Sequence, residues 1–437
     1  IRSDHPRIGR LDRRLFGADM IVRRKKKRKI RVVLLITALI AVFAAVAFLP
    51  VGAEGAALAV PAGTESDSDD AENAEEELWS NIEEILGNLD TDALDKYLAS
   101  LTEEQREQFG GSDFAEKVEA LLSGDFAIDY DSAFEALAAL IFDGLSGLLP
   151  VFCMILSIGI LCGILNRFKS SFSERGTARL IFLMSYGAVL VLILSSLSGV
   201  IADCISAVSS MRSQMQAIFP VLLTLIVTCG GNVSAAVYRP AALFLSDGIV
   251  QVITAAVFPL AVLVCVLHMA GHMNSEIRLQ NFTSFFGSII KWVLGISLTA
   301  FSVFLTVQGI TSATYDGISF KAAKYALGNS VPMIGGFLSG GLDLVFAGGV
   351  LIKNSVGMCG ILLLVIVIAA PLIQLVVYNL FLKLTAAVTE PVGAEGVSGF
   401  LSSLSGAVNY FITGLLAVGF MYFMTVLLLI CSSNAMF

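Results

Sequence analysis

From residue 144 to the C-terminus, long uncharged runs alternate with short clusters of charge. The runs are 144–166, 180–202, 213–238, 248–275, 292–315, 325–342, 354–382 and 396–437. About 20 apolar residues of helix cross the ~30 Å of bilayer hydrocarbon, and lipid offers backbone groups no hydrogen-bonding partner. Runs of this length therefore fold as membrane-spanning helices. The 294 residues from 144 onward hold only 12 Lys+Arg and 8 Asp+Glu, too few charges to coat a soluble domain of that size. The whole chain is 56% hydrophobic and 15% charged, with a mean hydropathy of +0.82. The expected fold class is an all-α polytopic membrane protein.

Eight spans are expected, near 145–165, 180–202, 216–237, 248–270, 292–314, 328–350, 355–382 and 406–431. The sixth is Gly-rich and contains Asp343. If it is re-entrant, seven spans remain and the C-terminus moves inside. Starting outside, the first span delivers Arg167, Lys169, Arg175 and Arg179 to the cytoplasm, as the positive-inside rule requires.

The net charge of −8 sums unlike parts. Residues 1–59 carry 13 Lys+Arg against 4 Asp+Glu, and residues 60–143 carry 3 against 24. A basic run, Arg23 to Arg31, precedes the uncharged stretch Val32–Leu49 and then small residues including Ala57-Leu58-Ala59. That order describes a signal peptide over 20–59, with a retained first helix as the alternative. Residues 1–19 read as an extension upstream of Met20, not as a nucleic-acid arm, and no nucleic-acid partner is expected.

Residues 60–143 form an acidic extracytoplasmic segment in this reading. Its first part is a solvated linker. Beyond it, Leu78, Ile82, Ile85, Leu86 and Leu89 fall on one helical stripe, Thr102-Glu103-Glu104-Gln105 starts a helix with a capping box, and Asp113-Phe114-Ala115-Glu116 starts another. Apolar stripes on such helices suit a docking surface for other extracytoplasmic proteins; the plainer reading is a solubilising spacer.

Prolines 150, 220, 259, 332 and 371 interrupt the apolar runs. Pro220 to Pro259 and Pro332 to Pro371 are both 39 residues apart, and the pairs are offset by 112. The span 180–202 falls on 292–314 at the same offset. A duplicated three-helix unit is one reading, and an odd number of spans per unit makes the copies inverted. Chance matching of apolar strings is the other.

Intramembrane polar residues are the functional candidates, because each is costly in lipid and faces a bundle interior or an aqueous path. They are Arg239, Asp247, Asp343 and Lys353, bracketing the breaks at Tyr238-Arg239-Pro240 and in the Gly-rich stretch. They are read as ion pairs or conduit lining, or else as helix ends at the interface. Pro220, Pro259, Pro332 and Pro371 are the expected helix breaks, and Gly336 with Gly340 forms a G-x-x-x-G packing face. Cys265, His268 and His272 share a helical face, with Glu276 beyond them, but interfacial packing is the preferred reading and no metal or other cofactor is expected. The seven cysteines all lie at or beyond residue 153, contain no C-x-x-C pair and read as packing residues. With neither a phosphate-binding G-x-x-x-x-G-K-[ST] loop nor a G-x-S-x-G elbow, the chain is not expected to be an enzyme.

Two stretches carry a family resemblance. Ala217-Ile218-Phe219-Pro220-Val221-Leu222-Leu223-Thr224 through Gly230-Gly231, Arg239-Pro240 and Asp247-Gly248 resembles the stage III sporulation protein AE family of endospore-forming bacteria. So does Ser330-Val331-Pro332-Met333-Ile334-Gly335-Gly336 through Asp343 to Lys353-Asn354-Ser355. The resemblance covers roughly residues 140–437. It implies a multi-pass protein of the mother-cell membrane around the forespore, acting in a channel or secretion-like complex needed for spore development. Implied partners are other proteins of the stage III sporulation A operon, including a cytoplasmic ATPase and ring-forming outer proteins, and indirectly stage II sporulation protein Q. The alternative function is a stand-alone secondary transporter.

Overall fold

A computed structural model describes residues 79–87, 89, 91–110, 114–123, 130–168, 175–273, 279–330 and 335–432. The expected extension, signal peptide and acidic linker lie outside the described residues. Those described are helical throughout apart from short turns, and no strand occurs among them.

Four short helices come first: α1 (79–87), α2 (Asp92–Ala99), α3 (Glu103–Phe109) and α4 (Phe114–Leu122). The capping box that starts α3 is formed as expected. The Gln105 N–H donates to the Thr102 hydroxyl at 3.3 Å, and the Thr102 N–H donates to Gln105 Oε1 at 3.2 Å. Gly110, at φ 105°, ends the helix in the left-handed region that favours glycine. Of the expected stripe Ile82 is buried, Ile85, Leu86 and Leu89 are half-buried and Leu78 lies outside the described residues; the apolar face of the four helices also buries Leu94, Tyr97, Leu98, Phe109, Phe114 and Val118. The surface it meets belongs to the same chain. α2 packs on a long helix, α6 (Arg175–Thr228), and α3 and α4 pack on another, α11 (Gly335–Val392).

The remaining elements are α5 (Tyr130–Phe168), α7 (Asn232–Leu243), a π-helical segment π1 (Phe244–Ile249), α8 (Val250–Val252), a second π segment π2 (Ile253–Val257), α9 (Phe258–Met273), α10 (Gln280–Ser330) and α12 (Glu395–Cys431). At 1.5 Å per residue α6 is ~81 Å long and α11 ~87 Å, far beyond the ~30 Å of hydrocarbon. α11 is the central element, lying against α5, α6 and α12.

Among the described residues six helices are long and apolar enough to cross a membrane, against the seven or eight spans expected. Expected spans 180–202 and 216–237 share one continuous helix as far as Thr228. Asp203 and Arg212 had suggested a break, but no Gly or Pro lies between 202 and 216, and the Ser213 hydroxyl donates back to the Ser209 carbonyl within the helix. The chain turns only at Cys229–Gly231. There Gly230 has φ 77°, and the Gly231 N–H reaches the Ile226 carbonyl at 2.8 Å. Lys353 likewise sits inside α11, which carries most of expected spans six and seven.

Pro150, Pro220 and Pro371 lie inside helices without ending them. Pro259 follows π2, whose wider turn accommodates a ring that would otherwise press on the carbonyl four residues earlier. Pro332 is outside the described residues. The two segments expected as three-helix copies have helix ends at different places. α6 ends at Thr228, whereas α10 ends at Ser330 and α11 begins at Gly335, out of step with the 112-residue offset.

Candidate functional site

Two adjacent helix faces bring the main polar cluster together. Arg212 and Gln216 stand four residues apart on α6; Asp247 in π1 and Gln251 in α8 are likewise four apart. Arg212 donates through Nη2 at 2.6 Å and Nε at 3.1 Å to Asp247 Oδ1, which also accepts from Gln216 Nε2 at 3.0 Å. Arg212 Nη1 donates to Gln251 Oε1 at 3.2 Å. The ion pair remains 38% and 45% exposed, so water screens it in any part of the protein that water reaches.

Asp247 therefore pairs with Arg212 and not with Arg239, which is exposed on α7. Arg212 lies between the expected spans 180–202 and 216–237 and was not among the candidate residues. The signal that could have found it is the matched spacing, Arg-x-x-x-Gln facing Asp-x-x-x-Gln.

Lys353 is fully buried, and its ammonium donates to the Ser432 carbonyl at the C-terminal end of α12. A cation there meets the negative end of the helix dipole and an otherwise orphaned carbonyl. The α6 terminus converges on the same place, with Cys229 Sγ 2.8 Å from where a Cβ on Gly349 would stand. The side chain of Asp343 and the surroundings of Gly336 and Gly340 lie outside the described residues.

Cys265 is buried, and His272 Nδ1 lies 2.8 Å from the His268 carbonyl one turn back on the same helix. His272 also lies against Phe400, with ring centroids 6.2 Å apart. Glu276 is outside the described residues, and among those described no three His, Cys, Asp or Glu side chains converge.

Sequence reasoning missed several buried polar groups. Asn379 of α11 donates to Asn409 Oδ1 at 2.7 Å and accepts from the Ser405 hydroxyl at 2.6 Å, tying α11 to α12. The Tyr378 and Ser196 hydroxyls share a 3.1 Å hydrogen bond that ties α11 to α6. Gln214 is fully buried and donates to the Gly360 carbonyl at 2.8 Å. An Asn or Gln inside an uncharged run was the available signal, since each requires a protein partner in an apolar setting.

Outside the long helices, the Tyr97 hydroxyl of α2 shares a 3.2 Å hydrogen bond with Ser210, in the C-terminal half of α6. Burial pushes the Tyr97 hydroxyl up to about 12, and the bond to Ser210 offsets part of that rise.

This arrangement joins a continuous set of long apolar helices to a small acidic helical layer, and the sequence matches the family described as stage III sporulation protein AE over residues 112–433. The chain belongs to this family. Stage III sporulation protein AE of Bacillus subtilis (strain 168) is 27% identical over 372 residues, 85% of this chain and 91% of that relative. No solved structure matches. The family gives the chain a role in sporulation, and the six long apolar helices among its described residues make it a multi-pass membrane protein.

Proposed function

We propose that this chain is a non-enzymatic core or scaffold subunit of a channel or secretion-like apparatus joining the mother cell to the forespore. The observation that carries the reading is the family match, which starts just before α4 and continues through α12. The acidic helices lie on the extracytoplasmic side, where they present charge to water while their apolar stripe rests on α6 and α11. Lys353 and the Arg212–Asp247 pair act structurally, holding helix ends and faces in register. Asp343 remains the candidate for lining a conduit. Partners are proteins encoded with it in the stage III sporulation A operon, including an ATPase, since this sequence carries no phosphate-binding loop of its own.

Affinity purification from sporulating cells in mild detergent tests the proposal. A core subunit brings its operon partners with it in defined ratio. A stand-alone transporter purifies alone or as a homo-oligomer, and that result ends the proposal.

A further inference from the structure

The membrane-crossing part of α10 has three kinds of surface. At about 100° per residue, Thr283, Ile290, Leu294, Ser297 and Phe301 share one side, which is buried against protein. Next to it Ser284, Ser288, Lys291, Thr299, Ser302 and Thr306 fall within about 80° of arc, and all six are exposed. Gly295 is the one other residue of that arc between 284 and 306. Beyond it lie Phe285, Trp292, Ile296, Val303 and Val307, each at least 56% exposed. The polar arc runs ~33 Å from Ser284 to Thr306, one hydrocarbon thickness.

Its hydroxyls alone do not forbid lipid. Those of Ser288, Thr299, Ser302 and Thr306 donate to the carbonyl four residues earlier at 2.7–2.9 Å. Lys291 does forbid it. Lys291 is the single charge between Gln280 and Val307, ~17 Å from the first and ~24 Å from the second. An ammonium at that depth is costly in hydrocarbon, and its stem is too short to reach either end. The ion pair among the described residues is Arg212–Asp247, so no carboxylate of theirs neutralises Lys291. Its neighbour is the Tyr410 ring of α12, whose centroid is 6.0 Å from Nζ.

Tyr410 carries the polar surface onto α12, because its hydroxyl lies against Gly287 of α10. Beside it on α12, Ser402, Gly406 and Thr413 are exposed and Asn409 is half-buried, spaced to share one side of the helix. Leu427 is the first large apolar residue exposed on α12. Two neighbouring helices thus present polar surface where the membrane offers only acyl chains, while the apolar arc of α10 suits lipid.

We propose that the polar arc of α10 and the adjoining side of α12 line a water-filled path through the membrane, in which Lys291 favours the passage of anions. The inference rests on the channel reading above and names the face of this subunit on which the conduit forms; a neighbouring subunit supplies the facing wall. Water then solvates the Lys291 ammonium, and a fixed cation with no acid beside it raises the local concentration of anions.

The test uses the full chain in membrane fragments from sporulating cells, open on both faces. The exposed Cys153 and Cys431 are replaced by Ser, and single cysteines are introduced by S288C, T299C and S302C on the polar arc and F285C, I296C and V303C on the apolar one. Two water-soluble methanethiosulfonates, one sulfonated and one with a quaternary ammonium, are applied to each. Positions 288, 299 and 302 are expected to react at least ~10-fold faster than 285, 296 and 303, since only a thiol in water forms the reactive thiolate. On the polar arc the anionic reagent is expected to be favoured ~5-fold, relative to its rate with a free thiol. K291Q should abolish that preference and leave the alternation along the helix intact, and K291E should reverse it. Variants that still co-purify with the partners of the parent are folded. Equal protection of all six positions in such variants, as lipid or a partner helix lying on the arc would give, overturns the path and leaves the subunit reading standing. A preference unchanged by K291Q overturns the role of Lys291.

Discussion

Tyr97 offers a graded test of how the acidic helices are fastened to the long ones. The ring is 4% exposed, and its hydroxyl shares one 3.2 Å bond with Ser210. Tyr97→Phe removes that bond and leaves the packing, and Ser210 is exposed enough to rehydrate. The expected cost is about 1 kcal/mol, or ~5-fold in the opening equilibrium of the α2–α4 layer. Tyr97→Ala also leaves a ring-sized void and should cost about 3–5 kcal/mol, or ~100-fold and more. Hydrogen exchange of α2–α4 peptides in the detergent-solubilised full chain reads both as faster exchange confined to that layer. The pH dependence follows from the raised hydroxyl, which ionises near 12 in the folded chain against an ordinary value of 10. A group raised on folding contributes its full stabilisation below its unfolded value and loses it as pH climbs through the folded one. Docking should therefore weaken between pH 10 and 12 by about 2–3 kcal/mol. Tyr97→Phe should lack that loss, and a near-ultraviolet titration of the parent minus that of the Tyr97→Phe variant should show a tyrosinate that appears only above pH 10. Equal exchange rates for the Phe and Ala variants, or a Tyr97 that ionises with the bulk of the tyrosines, refute the buried anchor.

Lys353→Met should lower stability in detergent melts by about 1–3 kcal/mol by orphaning the Ser432 carbonyl, and Lys353→Glu should abolish accumulation by placing an anion at a helix C-terminus. Asp247→Asn and Arg212→Ala should each cost no more than about 1 kcal/mol in the same melts, because the pair is half exposed, and exposed Arg239→Ala should fall within about 0.5 kcal/mol of the parent. Gly163→Ala should lose about 1–3 kcal/mol, since the new methyl meets a backbone carbonyl that cannot step aside, whereas Gly295→Ala, which meets nothing within 4 Å, should be neutral or slightly stabilising.

Helix content was legible in the sequence because uncharged runs of 18 and more residues leave no other fold in lipid. The Thr102 cap was legible for a local reason, since a capping box is complete within four residues. The places where the helices break were not. Counting spans from charges assumes that a charge ends a helix at the membrane surface, and Asp203, Arg212 and Lys353 do not. Each is compatible with an unbroken helix, because neither charge nor serine disrupts backbone hydrogen bonding as Gly and Pro do. Site partners were hidden for a different reason. Asp247 was judged against Arg239, eight residues away in sequence, while its partner sits 35 residues away on the facing helix.

Hydropathy alone also cannot separate two kinds of apolar helix: one facing lipid and one facing other helices. The burial pattern separates them. The most apolar windows of α11 and α12 are 56% and 67% buried inside the protein, whereas those of α5 and α10 are 28% and 22% buried. α5 and α10 have the exposure expected of a lipid-facing perimeter, and much of the apolar surface of α11 and α12 is covered by protein whether or not lipid is present. A sequence read for membrane-crossing potential counts both alike, which is why 46 consecutive helical residues of α6 pass as spanning material when a bilayer needs fewer than half of them. The stretch from Asp203 to Gln216 shows the same limit, because its serines and glutamine share one side of a helix whose other side packs apolar residues against protein.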